Sequence, residues 1–501
     1  MPSKEFPVSI LQKSVKMTNE PPSGLKANLL RSYTSFSDSF LSDSSKPVPF
    51  RRLLYSLCFF HAQLLERRRY PGVGFNIPYD WNDSDRKVSV QHLHLLLDRY
   101  EEVPFEALVF LLGQIHFGGR VTDHHDFPPV MALLHQSFNQ EVLTDQYCLV
   151  PGDRNFQVPM DGTLDEYIKY IQNLPSYHSS PEVFGLHSNA QIVNARHDTF
   201  SLLDLSLSLQ PRSTGGASGP VVSVESVAEG ILNFLPAVYN IEEVGVKYPL
   251  SYLKSMNTVL VQELMRFNGL ISVIKSTLSE LLKALKGVVV MSAELDQVCS
   301  SLLANKVPSM WADKAYPSLK SLDSWFEDLL LRLKFLQSWI DNGSPSCFWI
   351  SGLFFPQGFL TGTLQNYARK YKIPIDSISF EFHVLDKTKE EITSPPAEGC
   401  YVYGLYLDGA RWDLDQKLIT DALPKQLYNE LPVIWFKPVL TKEKKIADNN
   451  FKCPVYKTAE RRGTLSTTGH STNFVLYVDL PCSKSEQFWY LRGTGALCQL
   501  P

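Results

Sequence analysis

Asp123-His124-His125-Asp126 is the densest run of metal-type and acid–base side chains in the sequence. A metal-dependent hydrolase using His124, His125 and Asp126 is the sharpest chemistry it could encode. Adjacent residues point in different directions on a helix or a strand, however, so four in a row cannot all face one ion. The run therefore reads as a surface turn, with metal hydrolysis as a rival reading. The glycine clusters carry less. Gly72-Val73-Gly74 lacks the third glycine of a dinucleotide fingerprint, and Gly215-Gly216-Ala217-Ser218-Gly219 lacks the strand before and helix after that a phosphate loop or nucleophile elbow requires. No GxxxxGK[ST] stretch occurs, so no backbone cradle with its lysine is encoded for β- and γ-phosphates. Ser, His, Asp and Cys are common enough to combine by accident, and no catalytic triad can be argued from spacing. Trp325, Trp339, Trp349, Trp412 and Trp435 sit in helical or strand patterns, which makes them core residues before ligand platforms. The sequence thus nominates no catalytic, cofactor-binding or metal-binding residue.

The elements that would have to position any site belong to a long, ordinary polypeptide. Its 501 residues suffice for several domains, and 44% apolar with 20% charged residues is the composition of a folding protein. A net charge of -4 gathers neither phosphate backbones nor anionic lipid, so nucleic acid and membrane are not expected partners. The basic runs Arg67-Arg68-Arg69 and Lys442 to Lys445 are short, accompanied by Glu66 and Glu443, and read as solvated surface. Eight scattered cysteines, with no CxxC pair and no zinc spacing, read as reduced thiols of an intracellular protein. No stretch approaches the roughly 18 uninterrupted apolar residues of a membrane span.

Along the chain, Phe6 to Leu11 reads as a short strand and Asn19 to Gly24 as a turn, before a helix from Leu25 to Tyr33. Ser35 to Ser45 has little to bury and reads as a loop. Leu53, Leu54, Leu57, Phe60, Leu64 and Leu65 make one helical face. Further helices are expected from Val88 to Tyr100, from Pro104 to about Ile115, and from Asp161 to Leu174. Pro211 to Pro220, dense in Gly, Ser and Pro, reads as a flexible connector. Leu260, Leu264, Phe267, Ile271, Ile274, Leu278, Leu281 and Leu285 then alternate steps of four and three, the seam of a long bundle helix. Leu295, Val298 and Leu302 continue in a second segment. Leu322, Trp325, Leu329, Leu333, Leu336 and Ile340 form another helix, with Asn342-Gly343 as its stop. After about residue 375 the period becomes two: Ile378, Phe380, Phe382 and Val384 alternate with polar neighbours. Tyr401 to Leu407, Val433 to Phe436, Phe474 to Leu480 and Phe488 to Leu491 are further β-like runs, best closed as a small antiparallel barrel or sandwich.

Longer motifs carry a resemblance. Phe6-Pro7-Val8, Lys16 to Pro22 and Gly24 to Leu29 are similar to the final strand and following helix of the sixth AAA+ module of dynein heavy chains. Leu57 to His61, Glu66-Arg67-Arg68, Asn76 to Tyr79, Asn82 to Asp85, Tyr100 to Pro104 and Gly118 to Asp123 resemble the family's next segments in order. Pro181-Glu182-Val183-Phe184-Gly185-Leu186-His187 resembles the exit from that module's helical lid. Trp349-Ile350-Ser351-Gly352-Leu353-Phe354-Phe355-Pro356-Gln357-Gly358-Phe359-Leu360-Thr361-Gly362, with Gln365 to Arg369, is the most specific stretch. Val402 to Leu405 and Leu497 to Leu500 extend the match to nearly the whole chain. The Phe-Pro-Gln-Gly-Phe form, with Tyr316 to Lys320, looks axonemal. Two stretches depart from the family pattern: His124 to Phe127, and the loop Ser35 to Ser45.

The resemblance implies an α+β multidomain protein: the end of the sixth AAA+ large subdomain in 1–33, its helical lid in 34–195, the helical part of the C-terminal domain in 196–375 and its β-barrel part in 376–501. Met1-Pro2-Ser3 falls where family members continue from upstream, which implies a truncated gene model, a short isoform or an internally initiated product. ATP and Mg would belong to missing upstream modules, as would the microtubule-binding stalk. The implied role is structural and regulatory: bracing the ring of a minus-end-directed motor of cilia and flagella. The implied partners are the upstream ring modules and, through the full complex, intermediate chains, light chains and microtubules. A stand-alone interaction module is the alternative.

Overall fold

The structure, a computed structural model, describes residues 8–15, 17, 22–175, 180–209, 224–444, 449–464 and 472–501. The expected connector from Pro211 to Pro220, and Asn19 to Pro21 of the expected turn, lie outside the described residues. The chain forms two compact units: Met1–Arg67, Asp80–Arg120 and Leu133–Phe184 make the first, and Arg68–Tyr79, Val121–Ala132 and Gly185–Pro501 the second.

The first unit is helical. Its central helix, Pro47–Arg67, buries Phe50, Leu53, Leu54, Leu57, Phe60 and Leu64 completely. Its polar end is used rather than exposed: the Glu66 carboxylate accepts the Gly24 amide (2.7 Å) and Asn28 Nδ2 (2.9 Å), while Gln63 Nε2 donates to the Val183 carbonyl (2.8 Å). Helix Leu25–Tyr33 packs on it and on Leu164–Asn173, stacking Tyr33 against Tyr167. The helix expected from Val88 begins earlier, at Asp83, because Asn82 and Asp85 form a reciprocal capping box that satisfies its first amides. The helix expected from Pro104 is α-helical over Phe105–Phe110 and then widens to a π-helix over Leu111–His116. Within the expected loop Ser35 to Ser45, Ser37 caps a single turn, Asp38–Ser42.

Val8–Lys13 is helical, not the strand expected over Phe6 to Leu11; Phe6 and Pro7 themselves lie outside the described residues. No described strand lies beside this segment, and a helix satisfies backbone groups internally where a lone strand would leave them open.

In the second unit, helices Val224–Phe234, Ile241–Lys247, Ala293–Leu303, Leu322–Asn342 and Pro356–Tyr371 gather around Ser255–Leu285. The anticipated seam is real: Leu260, Leu264, Phe267, Ile271, Ile274, Leu278 and Leu281 are fully buried, each stabilising the fold by about 1.5–3 kcal/mol at most. Only Leu285, at the helix end, is exposed. The stop at Gly343 is also as expected, with its φ of 92°. A further helix, Ala190–Leu209, was not anticipated.

The strands are β1 (Cys347–Trp349), β2 (Ile378–Val384), β3 (Cys400–Tyr403), β4 (Tyr406–Asp408), β5 (Ala410–Asp413), β6 (Leu418–Asp421), β7 (Tyr428–Glu430), β8 (Ile434–Leu440), β9 (Asn450–Tyr456), β10 (Phe474–Pro481) and β11 (Gly495–Leu497). They make three hydrogen-bonded sheets, ordered β1-β3-β8-β2, β10-β9-β11-β4-β7 and β5-β6. Among the described residues no sheet closes on itself. Pairing is not purely antiparallel as expected, since β1 lies parallel to β3 and β11 parallel to β9. Neither pair is joined by a hairpin: the helix Pro356–Tyr371 and β2 lie between β1 and β3, while β10, antiparallel to β9, and then the helix Glu486–Arg492 lie between β9 and β11. The run Tyr401 to Leu407 splits into β3 and β4 at Gly404, where φ is 87° and a Cβ would stand 2.6 Å from Trp349 Cδ1. Phe488 to Leu491 is helical, within Glu486–Arg492, and not a strand. Trp489 and Leu491 turn inward there, and Gly493 in the left-handed region ends the helix.

Candidate functional site

Asp123 and Asp126 are buried at 4% and 2% exposure, so the run Asp123 to Asp126 is not the surface turn its polarity suggests. Asp123 caps the short turn His124–Asp126 by accepting the His125 amide at 3.0 Å. The Asp126 carboxylate accepts the amides of Asn76 (2.8 Å) and Ile77 (3.1 Å) and the hydroxyl of Tyr79 (2.9 Å). Asp123 accepts Asn76 Nδ2 (3.1 Å) and pairs with His125 Nδ1 (2.8 Å), while its own amide donates to the Tyr79 hydroxyl (3.0 Å). Asn76 Nδ2 also reaches the Tyr456 hydroxyl on β9, at 3.2 Å. The His125 ring packs against Phe474 and Tyr477 of β10.

This arrangement ties three stretches distant in sequence to one another inside the second unit. Burial pushes Asp126 up to about 7, with the neighbouring Asp123 charge adding and the amide and hydroxyl donors opposing. Burial alone would raise Asp123 too, but the hydrogen bonds from the His125 ring and amide and from Asn76 hold it below its ordinary range. The two carboxylates are engaged by protein donors and do not converge on a point. His124 is exposed, and among the described residues no group of three or more His, Cys, Asp or Glu side chains is placed to hold a metal ion. The hydrolase reading thus loses its geometry; what remains is a buried polar clamp.

A second polar assembly stands behind the Trp349 to Gly362 motif. Glu263, 1% exposed on the central helix Ser255–Leu285, accepts the amides of Phe354 and Phe355 (the latter at 2.9 Å), ahead of the helix Pro356–Tyr371. Burial raises its pKa, against the pull of those two amides and of Arg266 and Arg332. Asp328 accepts Arg332 Nε (2.7 Å), Lys320 Nζ (3.1 Å) and Gln499 Nε2 (3.1 Å), and the Arg332 guanidinium lies 3.7 Å over the Tyr316 ring. The motif, the Tyr316 to Lys320 stretch and the terminal Leu497 to Leu500 are therefore neighbours. Trp325, Trp339 and Trp412 are buried, whereas Trp349 and Trp435 are half-buried at the sheet. An open cleft of about 240 Å³ lies between Tyr316 and Trp325 on one side and Glu460, Arg462 and Asn473 on the other; Glu460 and Arg462 pair with each other at 3.2 Å. No nucleophile, base and orienting group come together in these assemblies, and their chemistry is that of holding segments in place.

Sequence reasoning missed Asn76, Tyr79, Tyr456 and Glu263. Asn76 and Tyr456 are 380 residues apart, and Glu263 lies 91 residues from Phe354, separations at which spacing carries no signal.

The family model for the C-terminal domain of the dynein heavy chain matches residues 196–498. The protein belongs to the dynein heavy chain family. The model for the AAA lid domain of the dynein heavy chain matches residues 50–190 ahead of it. Over its full length the sequence is 50% identical to dynein axonemal heavy chain 1 of Rattus norvegicus, 50% identical to dynein axonemal heavy chain 3 of Mus musculus, and 46% identical to dynein axonemal heavy chain 12 of Mus musculus. It covers 11%, 12% and 16% of those proteins, respectively. The dynein lid and C-terminal domains expected from the motifs are thus both present, and in the order expected. Among the described residues, no helix is long and apolar enough to cross a membrane.

Proposed function

We propose that this protein is the ring-bracing region of an axonemal dynein heavy chain and serves ATP-driven, minus-end-directed microtubule sliding in cilia and flagella. The observation that carries the reading is the succession of the lid model over 50–190 and the C-terminal model over 196–498 in one polypeptide. The buried seams support it, because they build rigid packing surfaces and not a reaction site. Within this reading, 1–33 ends the large subdomain of the sixth AAA+ module, 34–195 is its lid, 196–375 is the helical part and 376–501 the barrel part of the C-terminal domain. Barrel closure is favoured by two contacts between separate sheets: the Trp412 amide of β5 donates to Asn429 of β7, and Ile419 of β6 bridges to Cys482 just after β10. ATP and Mg act in upstream modules. Its partners are those modules and, through the complete complex, intermediate chains, light chains and microtubules in the axoneme.

Antibodies against residues 226–501, applied to fractionated axonemes, test this directly. The signal is expected in a high-molecular-weight polypeptide that leaves the axoneme with the dynein arms. A 56.8 kDa species found only outside the axoneme would instead establish a stand-alone interaction module.

A further inference from the structure

In the first unit, two histidines form a hydrogen-bonded pair that the bracing role does not use. His92, on the helix Asp83–Arg99, places Nδ1 3.0 Å from His116 Nε2, with ring centroids 4.8 Å apart and planes inclined by only 18°. His116 is the last residue of the π-helix Leu111–His116, and its Nδ1 is 3.0 Å from the hydroxyl of fully buried Ser89. Ser89 Oγ also lies 2.7 Å from the Asp85 carbonyl, which only accepts. The donor order follows from these four atoms. Ser89 must give its proton to Asp85 O, so its oxygen accepts from His116 Nδ1–H, which leaves His116 Nε2 as the acceptor of His92 Nδ1–H. This order accommodates a proton on His92 but not a second one on His116, because Nε2–H would then oppose Nδ1–H across 3.0 Å.

We propose that His92, His116 and Ser89 form a proton-sensitive latch fastening the π-helical turn to the helix Asp83–Arg99, closed at neutral pH and opened by acid. The charged groups facing it are His92 and Asp85; Asp85 is itself held by Arg120 Nε and Nη2 at 2.7 and 2.8 Å, which tempers its attraction for a proton on His116. Burial first, and the His92 charge second, lower the affinity of His116 for its proton, while Asp85 opposes them. Once that proton binds, the hydrogen bond that secures the turn becomes a repulsion. A π-turn carries one residue more than an α-helix needs and gives the segment a second geometry to relax into.

Hydrogen–deuterium exchange of the whole protein, read by mass spectrometry over peptides covering 105–120 and corrected for the intrinsic pH effect, tests the latch. Between pH 7.5 and 5.5 the corrected exchange of the turn should rise by up to about tenfold, the limit for one proton binding an opened imidazole of ordinary affinity, while helix Pro47–Arg67 stays protected. His92→Asn should keep the turn protected at both pH values, since an amide can turn to offer its oxygen to a protonated His116. No acid-induced change in the unaltered protein, or the same acid response in His92→Asn, would overturn the proposal.

Discussion

Glu263 offers the most direct perturbation of the internal architecture. Its carboxylate is the acceptor for two consecutive amides, Phe354 and Phe355, and so sets where the helix Pro356–Tyr371 begins. Glu263→Ala removes both acceptors. Each buried N–H left without one costs about 1–3 kcal/mol, offset in part by relief of a buried charge, so a net loss of about 3 kcal/mol is expected. Glu263→Gln retains one oxygen and should lose about half as much. Seven of the eight tryptophans, all but Trp81, lie in the second unit, so intrinsic fluorescence during guanidinium unfolding reports mainly on that unit. The pH dependence adds a second reading. A carboxyl whose pKa is raised on folding binds its proton more tightly in the native state, so its contribution is fully present below the ordinary value of 4.5 and is lost as pH rises through the raised one. The decline should be shallower in Glu263→Gln than in the unaltered protein, the remainder being that of Asp126. A change under about 1 kcal/mol for Glu263→Ala, with an unchanged pH profile for Glu263→Gln, would refute the role assigned to these amides.

Three other outcomes follow from the same structure. Gly399→Ala puts a Cβ 2.0 Å from the Phe436 carbonyl at a φ of 76°, so it should displace β8 and lower the unfolding midpoint of the second unit; an unchanged midpoint would mean that the β3–β8 pairing is not as described. Burial pushes the thiols of Cys400, Cys453 and Cys498 up to about 12, so at pH 8 iodoacetamide should modify half-buried Cys148 first and reach those three only after denaturation; prompt native labelling of Cys453 would contradict its burial. The purified protein should release no phosphate from ATP above background, because phosphoryl transfer needs a phosphate cradle and a positioned metal, and turnover by these 501 residues alone would overturn the assignment of catalysis to other modules.

The repeated apolar positions were legible because a periodic seam is a local property. Leu260 to Leu281 announced their helix, and Ile378 to Val384 their strand, without any knowledge of partners. Phe488 to Leu491 misled for the opposite reason: aromatic residues suit a half-buried sheet, yet here Trp489 enters the core from a short helix. Phe6 to Leu11 looked like a strand by composition, but a strand needs a neighbour, and the described sheets provide none. Helix Pro356–Tyr371 has a weak local signal, since Gly358 and Gly362 lower its propensity; its start is instead fixed by Glu263, far upstream. The burial of Asp123 and Asp126 was beyond local reading altogether. Four polar residues in a row look solvated until Asn76, Tyr79 and Tyr456 arrive from elsewhere in the sequence.

The bracing role is tested most directly by microtubule gliding on the full-length heavy chain that contains these residues, comparing the unaltered protein with Leu264→Asp. Leu264 is fully buried in the central seam, so an aspartate there puts an unpaired charge into the core and should disrupt the C-terminal domain while leaving upstream modules unaltered in sequence. ATP-driven gliding is expected to become markedly slower or stop, with ATP still bound. Gliding at undiminished speed would contradict the claim that these residues brace the motor.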